Sequence, residues 1–400
     1  MQEKLVDRTE YLDRARAWMG TRLIKVITGQ RRVGKSSVLQ SLAAHYRIER
    51  PEVRTIVIDK ERSAWDQVRD AASLERAAQP LGNEMVALFI DEAQEIPGFE
   101  RALRSLAAGG RHDIWVTGSN ARLLSGEIAT LFAGRTATLR IRALDYAEFL
   151  TFHERAESDE SLALYLRYGG LPFLRNLRLA DETAYEYLGG VFDAIVLKDI
   201  VQRHAIRNPA ILERIVEFLA DSIGSPVSAR NVANYLKTKG IECSPQTVLD
   251  YSGYLTDAYT ANRVRAEDLQ GKRILESGDK YYFEDLGLRS TLRGFDQRDI
   301  GKVVENAVYL KLAGAGWDVR SGRIGEREID FVCERGGKRA YVQAAYLVPD
   351  GLTREREFGS LLALRDAWPR YVVSMDPIRA DHEGIRHLGL REFLLGGLGD

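Results

Sequence analysis

The chain has 400 residues, of which 45% are hydrophobic and 29% are charged, a composition typical of a globular protein with several domains. Lys and Arg number 57 and Asp and Glu 58, so the net charge of −1 excludes a strong overall field that would draw the protein onto nucleic acid or an anionic membrane. The separated Cys243 and Cys333 and the scattered histidines argue against a disulfide framework or a zinc site. The absence of an apolar leader and of a membrane-spanning stretch predicts a cytoplasmic protein without a membrane partner.

The first motif lies between a predicted strand at residues 23–28 and a predicted helix at residues 37–46. The segment between them, Gly-Gln-Arg-Arg-Val-Gly-Lys-Ser over residues 29–36, matches the P-loop spacing G-x-x-x-x-G-K-[ST] at every fixed position. A helix N-terminus favours an anion, Lys35 adds a positive charge for the β- and γ-phosphates of ATP, and the Ser36 hydroxyl can bind Mg²⁺. The predicted nucleotide-binding residues of this segment are Gly29, Gln30, Arg31, Arg32, Val33, Gly34, Lys35, Ser36 and Ser37.

The second motif is a Walker B arrangement. Residues 86–90 form a continuous apolar run of strand length that ends in Asp91 and Glu92. In P-loop ATPases the aspartate at this place holds Mg²⁺, and a glutamate can orient the attacking water. An acidic pair at an ordinary strand end is the alternative, but the position behind a P-loop favours Walker B. We therefore predict Ser36 and Asp91 as Mg²⁺ ligands and Glu92 as a catalytic residue.

Residues 1–150 alternate strands and helices, which predicts a parallel sheet covered on both faces. The remaining predicted elements include strands at residues 54–59, 113–117 and 136–141 and a helix at about 121–132. Ser119 and Asn120 end the strand after Walker B, a position that resembles sensor 1 of AAA-type ATPases, which contacts the γ-phosphate or the attacking water. Arg135 precedes the last strand, at a position similar to their arginine finger, and a solvated cation at a helix end is the alternative. Ser119, Asn120 and Arg135 are thus predicted catalytic residues.

Residues 151–205 are predicted to form a helical lid. The lid contains Tyr168-Gly169-Gly170-Leu171-Pro172, a pattern that could be only a turn between helices. It also resembles a motif in the lid of signal-transducing P-loop ATPases, whose proline lies against the bound adenine. Pro172 is therefore a predicted nucleotide contact.

Residues 206–290 are predicted to form three helices and a hairpin, the order of a winged-helix domain. Asn208-Pro209, Ser228 and Ser244-Pro245 are the helix-start signals, and residues 258–264 are expected to pair with residues 281–284. The third helix would read DNA in a winged helix, yet residues 244–257 include Asp250 and Asp257 and no Lys or Arg. A module for contact between domains or subunits is therefore favoured over duplex reading.

Residues 291–400 are predicted to form an α/β domain with the order α-β-β-β-α-β, which resembles the restriction-endonuclease-like core of the PD-(D/E)xK nucleases. Glu305 and Asp330 match the first two carboxylates of that motif, but Gln343 and Ala345 replace its last glutamate and lysine, and Lys338 lies in the preceding turn. Metal-dependent cleavage needs carboxylates for the ion and a cation that helps to activate the water. We therefore predict that this domain is catalytically inactive and provides a docking surface.

From residue 29 to beyond residue 376, the chain resembles bacterial and archaeal AAA-type, STAND-like P-loop ATPases that carry a C-terminal domain of unknown function with a nuclease-like fold. The resemblance is carried by the segments GQRRVGKS, LFIDEAQ, VTGSNARLL, YGGLP, VVENAVYLKL, EIDFV and YVQAAYLV. It implies an α/β fold, ATP and Mg²⁺ as cofactors, ATP hydrolysis to ADP and phosphate, and ring-like homo-oligomers, with a hexamer as one candidate size. It also implies action on DNA.

We therefore expect an ATP-hydrolysing AAA-type motor that works in an oligomeric ring and binds DNA, branched and single-stranded forms included, without sequence specificity. The alternative is a STAND-type nucleotide switch that binds protein partners in defence or signalling and is reset by hydrolysis. DNA-stimulated turnover would favour the motor, and tight retention of ADP with negligible turnover would favour the switch. An ATP-dependent nuclease is the weakest alternative.

Overall fold

The computed structural model describes residues 6–119, 134–271, 273–275, 278–348, 351–379 and 381–399, without the side chains of residues 351–356. Its contacts divide the chain into two compact units. The first comprises Met1–Arg142 and Asp257–Tyr259, and the second comprises Ala143–Thr256 and Thr260–Asp400. The four domains expected from the sequence remain predictions. In the described part of the chain, no helix is long and apolar enough to cross a membrane.

The first unit contains a five-stranded parallel sheet in the order β2-β3-β4-β1-β5. Its strands are β1 (Ile24–Thr28), β2 (Arg54–Asp59), β3 (Val86–Asp91), β4 (His112–Gly118) and β5 (Thr136–Arg140). Its described helices are α1 (Thr9–Arg16), α2 (Lys35–Glu49), α3 (Ala71–Ala77) and α4 (Phe99–Ala108), with 3₁₀ turns at Ser63–Trp65 and Ala93–Glu95. The predicted α/β fold with a parallel sheet is confirmed. The predicted helix at 121–132 and Asn120 lie outside the described residues.

Strand β3 lies inside the sheet and is buried at every position, which explains why its sequence is a continuous apolar run. The parallel register aligns Thr28 with Gly118 and Ile90 with Val116. The carboxyl ends of β1, β3 and β4 therefore meet at one edge of the sheet. This edge is where the P-loop, the Walker B pair and Ser119 follow their strands.

The second unit begins with helices. They are α5 (Tyr146–Phe152), α6 (Asp159–Tyr168), a 3₁₀ helix (Pro172–Asn176), α7 (Asp181–Ala194) and a π-helix that continues α7 (Ile195–Gln202). Residues 151–205 are thus mainly helical, as the sequence predicts.

The glycine pair of the Tyr-Gly-Gly-Leu-Pro motif packs inside this unit. A Cβ atom at Gly169, which has a φ of 76°, would lie 2.5 Å from either carboxylate oxygen of Asp285, and one at Gly170 would lie 2.2 Å from the Leu144 carbonyl oxygen. The Gly170 N–H donates a hydrogen bond of 2.7 Å to Asp285 Oδ2. Only glycine fits such close approaches, so packing accounts for this part of the motif. The contact of Pro172 with adenine remains a prediction.

Three helices and a strand pair follow. They are α8 (Pro209–Asp221), α9 (Ala229–Thr238), α10 (Pro245–Asp257), β6 (Ala261–Val264) and β9 (Lys280–Phe283), with β6 and β9 antiparallel. The Ser228 hydroxyl accepts a capping hydrogen bond from the Asn231 N–H at 3.2 Å. The Ser244 hydroxyl accepts one from the Thr247 N–H at 3.0 Å. The expected order of elements is therefore present, while the winged-helix assignment remains a prediction.

The rest of the second unit is built on a seven-stranded mixed sheet in the order β14-β13-β12-β11-β10-β7-β8. Its strands are β7 (Ala266–Asp268), β8 (Arg273–Ile274), β10 (Asp318–Ile324), β11 (Arg327–Arg335), β12 (Lys338–Ala344), β13 (Arg370–Ser374) and β14 (Arg386–Gly389). Its helices are α11 (Leu286–Arg293), α12 (Ile300–Gly314), α13 (Gly351–Leu362) and α14 (Leu390–Gly396), with a 3₁₀ turn at Gln297–Asp299. The predicted helix-strand-strand-strand-helix-strand order runs from α12 to β13. Lys338 begins β12 and is exposed. The relationship to nucleases remains a prediction.

Candidate nucleotide-binding site

The P-loop joins β1 to α2 through a backbone that needs glycine. Gly29 has a φ of 146°, and a Cβ atom there would lie 2.1 Å from the Ile141 carbonyl oxygen. Gly34 precedes α2 in a left-handed conformation with a φ of 94°, and no side chain caps this helix end. The first N–H groups of α2 are thus available to an anion. The loop therefore leaves the start of α2 without a side-chain cap, and phosphate binding there remains a prediction.

The side chain of Lys35 is held across the loop. Lys35 is 4% exposed, and its Nζ donates a hydrogen bond of 2.9 Å to the Gln30 carbonyl oxygen. A buried ammonium beside the N-terminus of α2 places two sources of positive potential at one point. Lys35 is therefore held beside this helix end, and its contact with a phosphate remains a prediction.

Asp91 is joined to Ser36 and Thr117 by hydrogen bonds. The Thr117 hydroxyl donates to Asp91 Oδ1 at 2.5 Å, and Ser36 also hydrogen-bonds this carboxyl group. Burial raises the pKa of Asp91, while the hydrogen bonds from Thr117 and Ser36 act against that rise. The two predicted Mg²⁺ ligands, Ser36 and Asp91, are thus brought together. Thr117 was not identified from the sequence, although it lies two residues before Ser119.

Glu92 follows β3 in the left-handed region, with φ 49° and ψ 54°. This conformation is uncommon for a residue with a side chain and is found at strained functional positions. Its N–H donates a hydrogen bond of 2.8 Å to the Thr117 hydroxyl oxygen. Its carboxylate accepts a hydrogen bond from the Gln94 side-chain amide. Thr117 therefore holds both Walker B residues, and Gln94 holds the glutamate side chain.

Of the three residues predicted as sensor 1 or arginine finger, the two that the structure describes, Ser119 and Arg135, lie at opposite edges of the sheet. Ser119 is buried and directly follows β4 at the edge that carries the P-loop. Arg135 is exposed, and its carbonyl oxygen accepts a hydrogen bond of 2.8 Å from the N–H of Ile24, the first residue of β1. The length of β1, roughly 15 Å, separates Arg135 from the P-loop edge. Ser119 therefore lies at the edge that carries the P-loop, and Arg135 of the same chain lies at the other edge.

Two further features of the loop were not foreseen. The Gln30 side chain is fully buried, and neither its oxygen nor its nitrogen has a hydrogen-bond partner. Arg8 is 5% exposed and donates hydrogen bonds to the carbonyl oxygens of Val33 at 3.1 Å and Arg142 at 2.7 Å. Arg8 thus supports the P-loop backbone, although it lies in the N-terminal segment, outside every motif found in the sequence.

The remaining predicted loop residues take different positions. Val33 is buried, Arg32 is exposed with a φ of 70°, Arg31 is partly buried and Ser37 is exposed. Among the described residues, no group of three or more His, Cys, Asp or Glu side chains is arranged to hold a metal ion by itself. The site instead offers one carboxylate and one hydroxyl beside a lysine and an uncapped helix. This donor set fits a Mg²⁺–nucleotide complex, whose phosphates supply further ligands.

Sequence models of known families match two parts of the chain. An AAA domain matches residues 21–150, and a domain of unknown function (DUF8612) matches residues 159–299. The first match coincides with the sheet that carries the P-loop. The second begins in the helical region and ends just before α12.

Full-length relatives and one solved structure are also similar. An uncharacterised protein of Haemophilus influenzae is 31% identical over 385 residues, which cover 94% of each chain. An uncharacterised protein of Methanocaldococcus jannaschii is 28% identical over 358 residues, covering 84% of this chain and 77% of that protein. The structure of a Walker-type ATPase of Pyrococcus abyssi matches 73% of this chain and 97% of its own, with a TM-score of 0.50 and 18% identity. The last similarity shows a shared fold.

Proposed function

This chain belongs to the same protein family as the uncharacterised Haemophilus influenzae protein, and we propose that it is an AAA-type enzyme that hydrolyses ATP to act on a partner. The proposal is carried by one observation. Thr117 holds Asp91 and Glu92 by hydrogen bonds of 2.5 and 2.8 Å, and Asp91 in turn meets Ser36, the residue after the P-loop lysine. This arrangement is the one that a metal-assisted phosphoryl transfer to water requires.

Each residue has a separate task in this proposal. Lys35 and the N-terminus of α2 bind the phosphates, and Ser36 and Asp91 would hold Mg²⁺, which neutralises charge on the phosphates when bound. Asp91 must be ionised for this task; burial raises the pKa of Asp91, and the hydrogen bonds from Thr117 and Ser36 oppose that rise. Glu92 orients the attacking water once its carboxylate leaves Gln94. Ser119 contacts the γ-phosphate or the water.

Nucleotide binding and phosphate release by the purified chain test the proposal. We expect the wild-type protein to bind ATP with Mg²⁺ and to release phosphate. Lys35→Ala should abolish both, because it removes the charge that meets the β- and γ-phosphates. The exposed Lys338 provides a matched control, and Lys338→Ala should retain both activities. Binding by Lys35→Ala at the wild-type affinity would exclude this site.

Arg135 is proposed to act on the nucleotide of a neighbouring subunit in a ring-like homo-oligomer. Its exposed position at the edge of the sheet opposite the P-loop supports this role. Mixing Arg135→Ala subunits with Lys35→Ala subunits should restore part of the activity, because each supplies the part that the other lacks. No recovery in an oligomer that is confirmed to be mixed would assign Arg135 a structural role.

DNA is the proposed partner, contacted through phosphates. The order of elements in α8–α10 with the β6–β9 pair supports a winged helix, while α10 has no Lys or Arg to bind a guanine edge. Binding should therefore weaken steeply with salt and vary little with sequence. A strong preference for one duplex sequence at moderate salt would contradict this proposal.

A nucleotide switch that binds protein partners is the second candidate, and one contact favours it. The hydrogen bond from Gln94 keeps the Glu92 carboxylate away from a free, water-orienting state. While this hydrogen bond is present, basal ATP turnover is slow, and a bound partner that breaks the hydrogen bond raises the turnover. Release of bound ADP over many minutes, with no stimulation by linear, branched or single-stranded DNA, would select the switch over the motor.

A further inference from the structure

A buried lysine in the second unit makes contact with three carboxylates. Lys280 Nζ lies 2.6 Å from Glu328 Oε1 and 3.2 Å from both Glu305 Oε1 and Asp330 Oδ1. We refer to these four residues as the Lys280 cluster. Lys280 lies on β9, Glu305 on α12, and the other two on β11. Three elements that are distant in sequence therefore meet at one ammonium group.

Three of the four side chains of the Lys280 cluster are nearly closed to water, and Glu328 is the more exposed member. The side chains of Lys280, Asp330 and Glu305 are 1%, 10% and 13% exposed, and that of Glu328 is 37% exposed. Glu305 Oε1 also accepts a hydrogen bond of 2.6 Å from the Tyr282 hydroxyl. A Cβ atom at Gly224 would lie 2.2 Å from Glu305 Oε2, so the backbone of this residue covers the second oxygen. Buried charges of this kind persist only when they are paired.

The cluster contains the two carboxylates that the sequence assigns to a nuclease-like metal site. Glu305 and Asp330 are at the expected elements, and Gln343 Oε1 accepts a hydrogen bond of 3.2 Å from the Asp330 N–H. The nuclease motif has a lysine where this chain has Ala345. Here a different lysine, Lys280 on β9, lies beside the carboxylates, and the inactivity of the domain remains a prediction.

We propose that the Lys280 ammonium is a built-in cation that takes the place of a divalent metal ion between Glu305 and Asp330. An ammonium has three N–H donors, and here three carboxylates surround it. A divalent ion binds carboxylate oxygens at about 2.0–2.6 Å. An ion on Glu305 Oε1 and Asp330 Oδ1 would therefore enter the volume of the ammonium. The two cations would also repel each other, so only one of them occupies the site.

This inference concerns the second unit and stands apart from ATP hydrolysis. The wild-type cluster should bind no divalent ion, since the ammonium holds its three carboxylates in an arrangement that does not fit one. The loss of Lys280 should let these carboxylates close around Mn²⁺ or Mg²⁺. The same contacts attach β9 to α12 and β11. Lys280 thus acts as a structural cation that also excludes metal-dependent chemistry.

Mn²⁺ binding to the full-length protein without nucleotide tests the inference. Lys280→Met keeps most of the side-chain volume and removes the charge. We expect this variant to melt about 10 °C below the wild type in EDTA, since breaking a buried ion pair leaves its partners uncompensated. Millimolar Mn²⁺ should restore most of that difference and should bind to this variant in a titration. Adding Asp330→Asn to Lys280→Met should abolish the new binding.

The controls separate this site from other Mn²⁺ binding. Lys311 is also paired with a carboxylate, Asp145, at 3.0 Å, and Lys311→Met should gain no Mn²⁺ site. Mn²⁺ binding to the wild type that disappears in Asp330→Asn would overturn the inference, because lysine and metal would then share the site. A folded Lys280→Met that binds no Mn²⁺ would overturn it as well. If Lys280→Met does not fold, Lys280→Gln keeps all three carboxylates and a neutral hydrogen-bond donor, and its Mn²⁺ binding decides in the same way.

Discussion

The nucleotide-binding site and the Lys280 cluster both bring charged side chains together. They differ in whether the buried polar atoms around them have hydrogen-bond or ion-pair partners within the protein. Around the P-loop, the buried amide of Gln30, the Thr28 hydroxyl and the Gln94 oxygen have no hydrogen-bond partner. In the Lys280 cluster, each carboxylate pairs with the ammonium, and no side-chain oxygen or nitrogen of Lys280, Glu305 or Asp330 is buried without a partner. Unpaired buried polar atoms cost free energy, which bound water or a ligand offsets when it pairs with them.

Two carboxylates at the positions of a known motif are therefore not enough to identify a metal site, because the surrounding charges decide what the carboxylates bind. Glu92 has a left-handed backbone, and Asp91 and Glu92 are bonded to neutral groups, whereas Glu305 and Asp330 are paired with a lysine of the protein. Substitutions at four positions, Glu305, Thr117, Arg8 and Gln94, test this difference between the two sites.

The largest effect is expected from the pH dependence of stability. Burial and the charge of Asp330 raise the pKa of Glu305 to about 7, although Lys280 and Tyr282 favour its ionised form. The folded protein then holds a proton that the unfolded chain has lost, so stability should fall as pH rises from about 4.5 to about 7, by roughly 3 kcal/mol. Denaturant unfolding at a series of pH values measures this.

Glu305→Gln is the matched variant for that experiment. Asp285, whose pKa burial raises to about 6, contributes a slope of the same sign and remains in the variant. The variant should therefore show a shallower decline of stability with pH than the wild type. Equal slopes in the two proteins would show that Glu305 does not titrate in this range.

Thr117→Val tests the geometry of the nucleotide site. The substitution keeps the shape of the side chain and removes the hydroxyl that holds Asp91 and Glu92. We expect kcat to fall by about 10–100-fold, which corresponds to roughly 1.4–2.7 kcal/mol, with a smaller change in ATP affinity. Thr117→Ser retains the hydroxyl and should recover most of the activity. Equal rates for the valine and serine variants would remove Thr117 from the mechanism.

Arg8→Met should weaken nucleotide binding by roughly tenfold, because the Val33 and Arg142 carbonyl oxygens lose their shared donor and the P-loop loses a support. Titration with a fluorescent ATP analogue measures the effect. Arg14 lies on α1, is exposed and serves as the control, and Arg14→Met should bind normally. Unchanged affinity in Arg8→Met would show that the loop holds its shape without this residue.

The smallest expected effect is a gain. Gln94→Ala frees the Glu92 carboxylate, and basal phosphate release should rise by about 2–5-fold, equivalent to less than about 1 kcal/mol. Multiple-turnover kinetics without any partner measure it. A fall in rate would instead indicate that Gln94 positions Glu92 for the reaction.

The sequence predicts the nucleotide site well because that site depends on short segments. Fixed spacing over residues 29–36 and an apolar strand before Asp91 determine the P-loop and Walker B, and the parallel sheet then brings them together. Arg8 and Lys280 could not be predicted in the same way. Arg8 meets Val33 across 25 residues, and Lys280 meets Asp330 across 50, so only tertiary packing creates these contacts.

The most direct test of the central claim is phosphate release by Glu92→Gln beside ATP binding by the same protein. Glutamine has nearly the shape of glutamate but cannot orient water as a carboxylate does, so the variant should bind ATP with wild-type affinity and lose at least about 100-fold in turnover. The exposed Glu95, three residues further on, gives the control, and Glu95→Gln should hydrolyse ATP normally. Wild-type turnover in Glu92→Gln would contradict the proposed ATPase mechanism.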